Sequence, residues 1–93
     1  MFLQAVKVVR FAESKKVFNE RYRYGGHEVV TYPNPNPDDM YFVIGVTSLK
    51  EGEIDYDSEE GYMFCQSKSH KVYIVAKSIG RRFKVLEEDL IRL

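Results

Sequence analysis

Cys65, His27 and His70 are the conventional nucleophile and base candidates in this 93-residue chain. Nucleophilic catalysis needs a thiolate and an imidazole within hydrogen-bond reach, with a third group to orient the base. Cys65 sits in Tyr62-Met63-Phe64-Cys65-Gln66, where a small apolar residue of the core is the expectation, because free cysteine is among the most buried side chains. Both histidines lie beside turn-forming sequence and are expected in solvent. One cysteine and two histidines at these separations match no zinc spacing. Asp55-x-Asp57-x-Glu59-Glu60-Gly61 begins like a calcium loop, but its glycine is one position late and Gln66 stands where a bidentate glutamate is needed. Gly25-Gly26-His27 lacks the spacing and the lysine of a phosphate loop. No catalytic residue, cofactor or metal ligand is assigned, and the chain is read as a non-enzyme.

The remaining side chains with chemistry are charged or aromatic. Fourteen basic and fourteen acidic residues cancel to a formal charge of zero, yet they are unevenly spread. Residues 1–30 carry +3, residues 31–60 carry −7 and residues 61–93 carry +4. Glu51, Glu53, Asp55 and Asp57 alternate with Gly52, Ile54 and Tyr56. On a strand that spacing sets four carboxylates on one face at intervals of about 6.5–7 Å. Such a row is a solvated face that discourages edge pairing, an acidic patch that docks a basic protein surface or imitates nucleic-acid phosphates, or a place for a metal ion. Arg21-Tyr22-Arg23-Tyr24 and Arg81-Arg82-Phe83-Lys84 instead interleave cations with rings, the combination that tracks phosphates and stacks bases. A pI near 6.7 lies well below the basic balance of a dedicated nucleic-acid binder.

The elements that would carry these groups follow from composition. Val, Ile, Thr, Tyr and Phe supply 31 residues, against 8 Ala and Leu, which predicts a mainly β domain. The length allows one small domain over residues 1–93. Apolar runs are too short for a spanning helix, Lys7 and Arg10 interrupt any leader-like core, and one cysteine fits a reducing cytoplasm. No membrane association is expected.

Residues 5–11 read as an opening strand. Ala12 to Tyr24 fits a helix or a hairpin; the hairpin is preferred, with Gly25-Gly26 as its turn. Three prolines make Tyr32 to Asp39 an exposed loop. A strand follows over Met40–Thr47, with Phe42, Ile44 and Val46 on one face. Lys50 to Gly61 reads as an acidic turn region. Tyr62–Gln66 is a short strand ended by Ser67-Lys68-Ser69-His70. Val72 to Lys77 alternates, Ile79-Gly80 marks a turn, and Glu87-Glu88-Asp89-Leu90 suits one 3₁₀ turn before Ile91-Arg92-Leu93.

The closing stretch Val72-Tyr-Ile-Val-Ala-Lys-Ser-Ile-Gly-Arg-Arg-Phe-Lys-Val-Leu-Glu-Glu-Asp-Leu-Ile-Arg-Leu93 resembles the end of an SH3-like barrel, where a strand, a tight distal hairpin, a second strand, a 3₁₀ turn and a short final strand come in this order. The resemblance implies a single small SH3-like β-barrel of five to six strands. Peptide-binding members of that family use a tryptophan and a proline. This chain has no Trp, and Val85-Leu86 stands near the 3₁₀ turn where that proline would be, so proline-rich peptide binding is not carried over.

The leading functional expectation is a non-catalytic protein-interaction module, such as a small accessory or inhibitor protein of the kind phages and mobile elements encode. Its candidate contacts are Tyr22, Tyr24, Tyr32, Glu51, Glu53, Asp55 and Asp57, since tyrosine offers a large ring with one polar tip. The alternative is a nucleic-acid-binding barrel using Arg21, Arg23, Arg81, Arg82 and Lys84. A third expectation is homo-oligomerisation through an edge strand such as Tyr62–Gln66.

Overall fold

A computed structural model of the chain describes residues 3–77 and 80–93. Its strands are β1 (Ala5–Val8), β2 (Arg10–Asn19), β3 (Tyr22–Pro33), β4 (Tyr41–Asp57), β5 (Gly61–Ala76), β6 (Arg82–Leu86) and β7 (Leu90–Arg92). A 3₁₀ turn, Glu87–Asp89, joins the last two. The mainly β expectation and the 3₁₀ turn are borne out. The strands form one antiparallel sheet in the order β3-β2-β6-β5-β4-β1-β7, and a β3–β4 pairing closes a ring through β2 to β6. Seven strands replace the expected five or six, partly because the opening stretch splits at Val9 into β1 and β2.

The core lies at one end of an elongated molecule measuring 50 × 23 × 22 Å. Val6, Val8, Phe11, Tyr41, Val43, Tyr73, Val75 and Val85 form its main cluster, continued by Ala12, Leu49 and Val72. Tyr41 and Val43 are the inward residues at the start of β4, whereas Phe42 and Val46 are exposed. The ladder slips between Val43 and Gly45, so Phe42, Ile44 and Val46 do not form the single face that simple alternation predicts.

Between β3 and β4 the proline-rich segment is not wholly exposed. Asn34 is buried: its backbone N–H donates to the Val9 carbonyl at 3.0 Å and its side-chain amide donates to the Val8 carbonyl at 2.9 Å. Asn34 thereby satisfies the backbone where β1 breaks from β2. The hairpin reading of residues 12–24 is correct, but its turn is at Glu20-Arg21 and not at Gly25-Gly26. The Asn19 side chain caps that turn by accepting from the Arg21 N–H.

The largest departure is the length of the β4–β5 hairpin. Lys50 to Asp57 is strand, not turn, and the chain reverses only at Ser58–Glu60, where Asp57 accepts from the N–H groups of Glu59 and Glu60. Ser67 to His70 does not end the following strand either. β5 runs through it, absorbing Ser67 as a bulge between the pairs Glu51↔Lys68 and Gly52↔Gln66. No apolar core residue lies on β4 beyond Leu49 or on β5 before Val72. The outer half of the hairpin therefore forms an arm beyond the core. Of the expected Ile79-Gly80 turn, Ile79 lies outside the described residues, while Gly80 has φ +112°.

Candidate protein-interaction site

The arm is built from β4 and β5 with the turn of the β2–β3 hairpin laid against it. Pairing of Gly26 with Glu53 and of His27 with Gly52 fixes β3 to β4. The approach is close: a Cβ on Gly26 would lie 2.7 Å from the Gly52 carbonyl oxygen, and on the β5 side of β4 a Cβ on Gly52 would lie 2.2 Å from the Cys65 carbonyl oxygen, so glycine is required at both positions. Tyr24 and His27 both reach the same side of the arm, which three positions on a regular strand forbid. Gly25, at φ +93°, makes the extra step: on β3 the residues 23–25 bulge opposite Phe18.

One side of the arm is consequently aromatic. Tyr56 and Tyr62 are cross-strand partners with ring centroids 5.2 Å apart, and Tyr24 stands 6.1 and 5.9 Å from them. His27 lies 5.4 Å from Phe64. Tyr62 remains 70% exposed and Phe64 42%, so this cluster is a surface, not a second core.

The other side carries the acids. Glu53, Asp55 and Asp57 alternate along β4 opposite Cys65, Met63 and Gly61. All three are exposed, and none takes part in an ion pair among the described residues. Glu51 is different. It is half-buried and bonded to His70 at 2.5 Å, and that hydrogen bond holds its carboxyl below the usual carboxylate range. The predicted row of four is thus three carboxylates without an ion-pair partner among the described residues, Asp57 also holding the turn, and one paired to His70.

Of the expected contacts on β3, Tyr22 stands on the acid side with Glu53 and Cys65, and Tyr24 on the aromatic side. Arg21 stacks over Tyr22 at 5.4 Å and Arg23 over Tyr24 at 5.3 Å, so these cations are partly spent on their own rings. Partial burial pushes the Tyr22 phenol up against the opposing pull of Arg21, with the Glu28 carboxylate adding to the rise.

Tyr32 does not belong to this group. It lies near the opposite end, on the wall of a cavity of about 550 Å³ with Phe11, Tyr41, Phe83 and Pro35. Lys77 and Arg81 line its rim, Lys77 being paired to Asp39, which raises the lysine pKa. Arg81 stacks over Phe83 at 5.1 Å, with Arg82 and Lys84 exposed beside it. Arg82 pairs with Ala76, whereas Arg21 and Tyr22 stand beside Cys65–Ser67, about 30–36 Å back along β5 at 3.3 Å per residue. The two basic-aromatic motifs therefore do not form one track.

Two further expectations are corrected. Cys65 is exposed, because it lies on the arm, where no second layer covers β5. His27 and His70 are half-buried, under Phe64 and Glu51 respectively. Tyr56 is absent from the expected contacts, and Tyr62 and Phe64 are expected there only as part of a pairing edge; the alternation of Tyr56 with Asp55 and Asp57 is the signal for the strand that places the three rings together. No helix among the described residues is long and apolar enough to cross a membrane. No family model, curated protein or solved structure matches the chain.

Proposed function

We propose that the chain is a protein-interaction module of SH3-like architecture that grips a basic protein surface with the outer half of its β4–β5 hairpin. The architectural part is supported by the order strand, strand, 3₁₀ turn, strand among the described residues of 72–93 and by the closed ring. One observation carries the functional part. The arm orders many residues yet adds no side chain to the core, so its conformational entropy cost is not offset by burial. It presents three carboxylates without protein counter-ions beside exposed tyrosine and phenylalanine rings. Rings that bury well and charges that select the partner suit a contact surface. A small cytoplasmic accessory or inhibitor protein is the role this describes.

The test is affinity capture from lysate of the producing cells with the wild-type chain and with the combined variant Glu53→Lys, Asp55→Lys and Asp57→Lys. A basic protein held by the wild type at about 50 mM salt should be lost at about 0.5 M. It should also be lost from the variant. A protein retained equally by both, or no basic protein at all, would remove the reading.

A second reading is favoured by the ring-lined cavity with Arg81 at its rim: a base of single-stranded nucleic acid stacked there, with Arg82 and Lys84 on the backbone. Steeply salt-dependent retardation of single-stranded DNA or RNA at about 50 mM salt supports it; no retardation ends it.

A further inference from the structure

β5 has two neighbours over only part of its length. Along Val72–Ala76 it pairs with both β4 and β6, but from Gly61 to Lys71 it pairs, among the described residues, with β4 alone. The opposite edge of that stretch leaves every second backbone N–H and C=O without a strand partner. Proteins usually protect such an edge with a lysine, a proline or a bulge. Here Lys68 and the Ser67 bulge guard only the inner part. Tyr62–Gln66 has no proline, no charge and no ladder slip.

We propose that Tyr62–Gln66 is a strand-addition site, and that its occupant is an extended basic segment of the partner protein, with cationic and apolar residues in alternation. This rests on the docking reading above and specifies how the partner is held. The two faces of β5 dictate the alternation. Met63 and Cys65 lie on the carboxylate side, opposite Asp55 and Glu53, while Tyr62 and Phe64 lie on the aromatic side, opposite Tyr56 and Ile54. An added strand would sit about 10 Å from β4, two strand spacings away. A lysine or arginine stem lying across Met63 or Cys65 spans that gap with its charge at the carboxylates. The residues between would cover Tyr62 and Phe64. A second copy of this chain fits less well, because the same stretch Gly61–Ser69 offers Lys68 as its lone cation.

The probe is the peptide acetyl-Lys-Val-Lys-Tyr-Lys-Val-amide with two twins, each N-methylated at one alternate set of residues. In an added strand only one set of peptide N–H groups faces β5. The plain peptide should bind, and one twin should lose about tenfold or more in affinity while the other retains it. Alternate amides of Tyr62–Gln66 should exchange about tenfold more slowly with peptide bound. Equal binding of both twins with no protection of β5 would overturn strand addition and leave acid-dependent docking standing. Undiminished binding of the plain peptide to the combined Glu53, Asp55 and Asp57 lysine variant would overturn both. A stable dimer in sedimentation equilibrium that protects the same amides without peptide would give the edge to a second copy and also overturn the proposal.

Discussion

Arg10 sets two nitrogens on a single oxygen of Asp89: Nε at 2.9 Å and Nη2 at 2.8 Å from Oδ1. The Asp89 side chain is 2% exposed and its other oxygen, Oδ2, has no hydrogen-bond partner, while half of Arg10 remains in solvent. The backbone repeats the link, since the Val9 N–H donates to the Asp89 carbonyl at 2.9 Å. The start of β2 is thereby tied to the 3₁₀ turn before β7. Arg10→Met strands a buried carboxylate and should destabilise the chain by about 2–4 kcal/mol in urea unfolding. Asp89→Asn keeps an acceptor for the guanidinium and should cost less, about 1–2 kcal/mol. Equal losses would show that the charge of Asp89, and not the hydrogen bonds it accepts, carries the contact.

Gly52→Ala should be among the most damaging single methyl additions in the protein. The new Cβ would meet backbone, the Cys65 carbonyl, which cannot rotate away. A loss of about 3 kcal/mol or more is expected, from forced separation of β4 and β5. Gly61→Ala is the control: φ is +83° but no atom lies within 4 Å, so about 1–2 kcal/mol of backbone strain is the whole cost. Thermal unfolding of the two variants should rank them in that order.

Glu51 makes the arm's attachment sensitive to acid. Its folded-state pKa is lowered by the His70 hydrogen bond, so the native state favours the carboxylate more than the unfolded chain does. The contribution is complete above the ordinary value of 4.5 and disappears as pH falls through the depressed folded value. Glu51→Gln should remove about 0.5–1 kcal/mol at neutral pH and little at the lowest pH where the chain stays folded. A constant difference across that range would contradict the assignment.

Replacing Glu53 and Asp55 by lysine should leave stability within about 0.5 kcal/mol of wild type, since neither has an ion-pair partner among the described residues, and adding Asp57→Lys should cost about 1 kcal/mol more because it removes the turn bonds from Glu59 and Glu60. The urea midpoint of the combined variant should therefore fall only slightly, with the chain still folded in water. This separation of folding from docking is what makes the variant useful in the capture experiment.

Strand content and the closing 3₁₀ turn were legible because β-branched and aromatic residues dominate and the last third alternates cleanly. The arm was not. Lys50 to Asp57 and Ser67 to His70 are rich in Gly, Ser and charge, and local composition favours turns there; pairing across the long hairpin overrides it. Gly25 shows the same limit. A Gly-Gly pair suits the positive φ of a tight turn, but a bulge uses that conformation as readily. Cys65 was misplaced for a different reason: average burial assumes a strand with a covered face, and this one has none. The acids are legible from spacing alone, but the engagement of Glu51 by His70, nineteen residues away, is a cross-strand contact that no local pattern carries.

The ring of β2 to β6 has an odd number of members, and every adjacent pair in it runs antiparallel. Five reversals of direction cannot return a straight strand to its own sense, so the circuit closes only if strands turn corners within it. The record of those corners is in the two thinnest seams, one residue pair between β2 and β6 and two between β3 and β4. The ring is thus two sturdy ribbons crossing, and cutting either seam would open it without melting a hairpin.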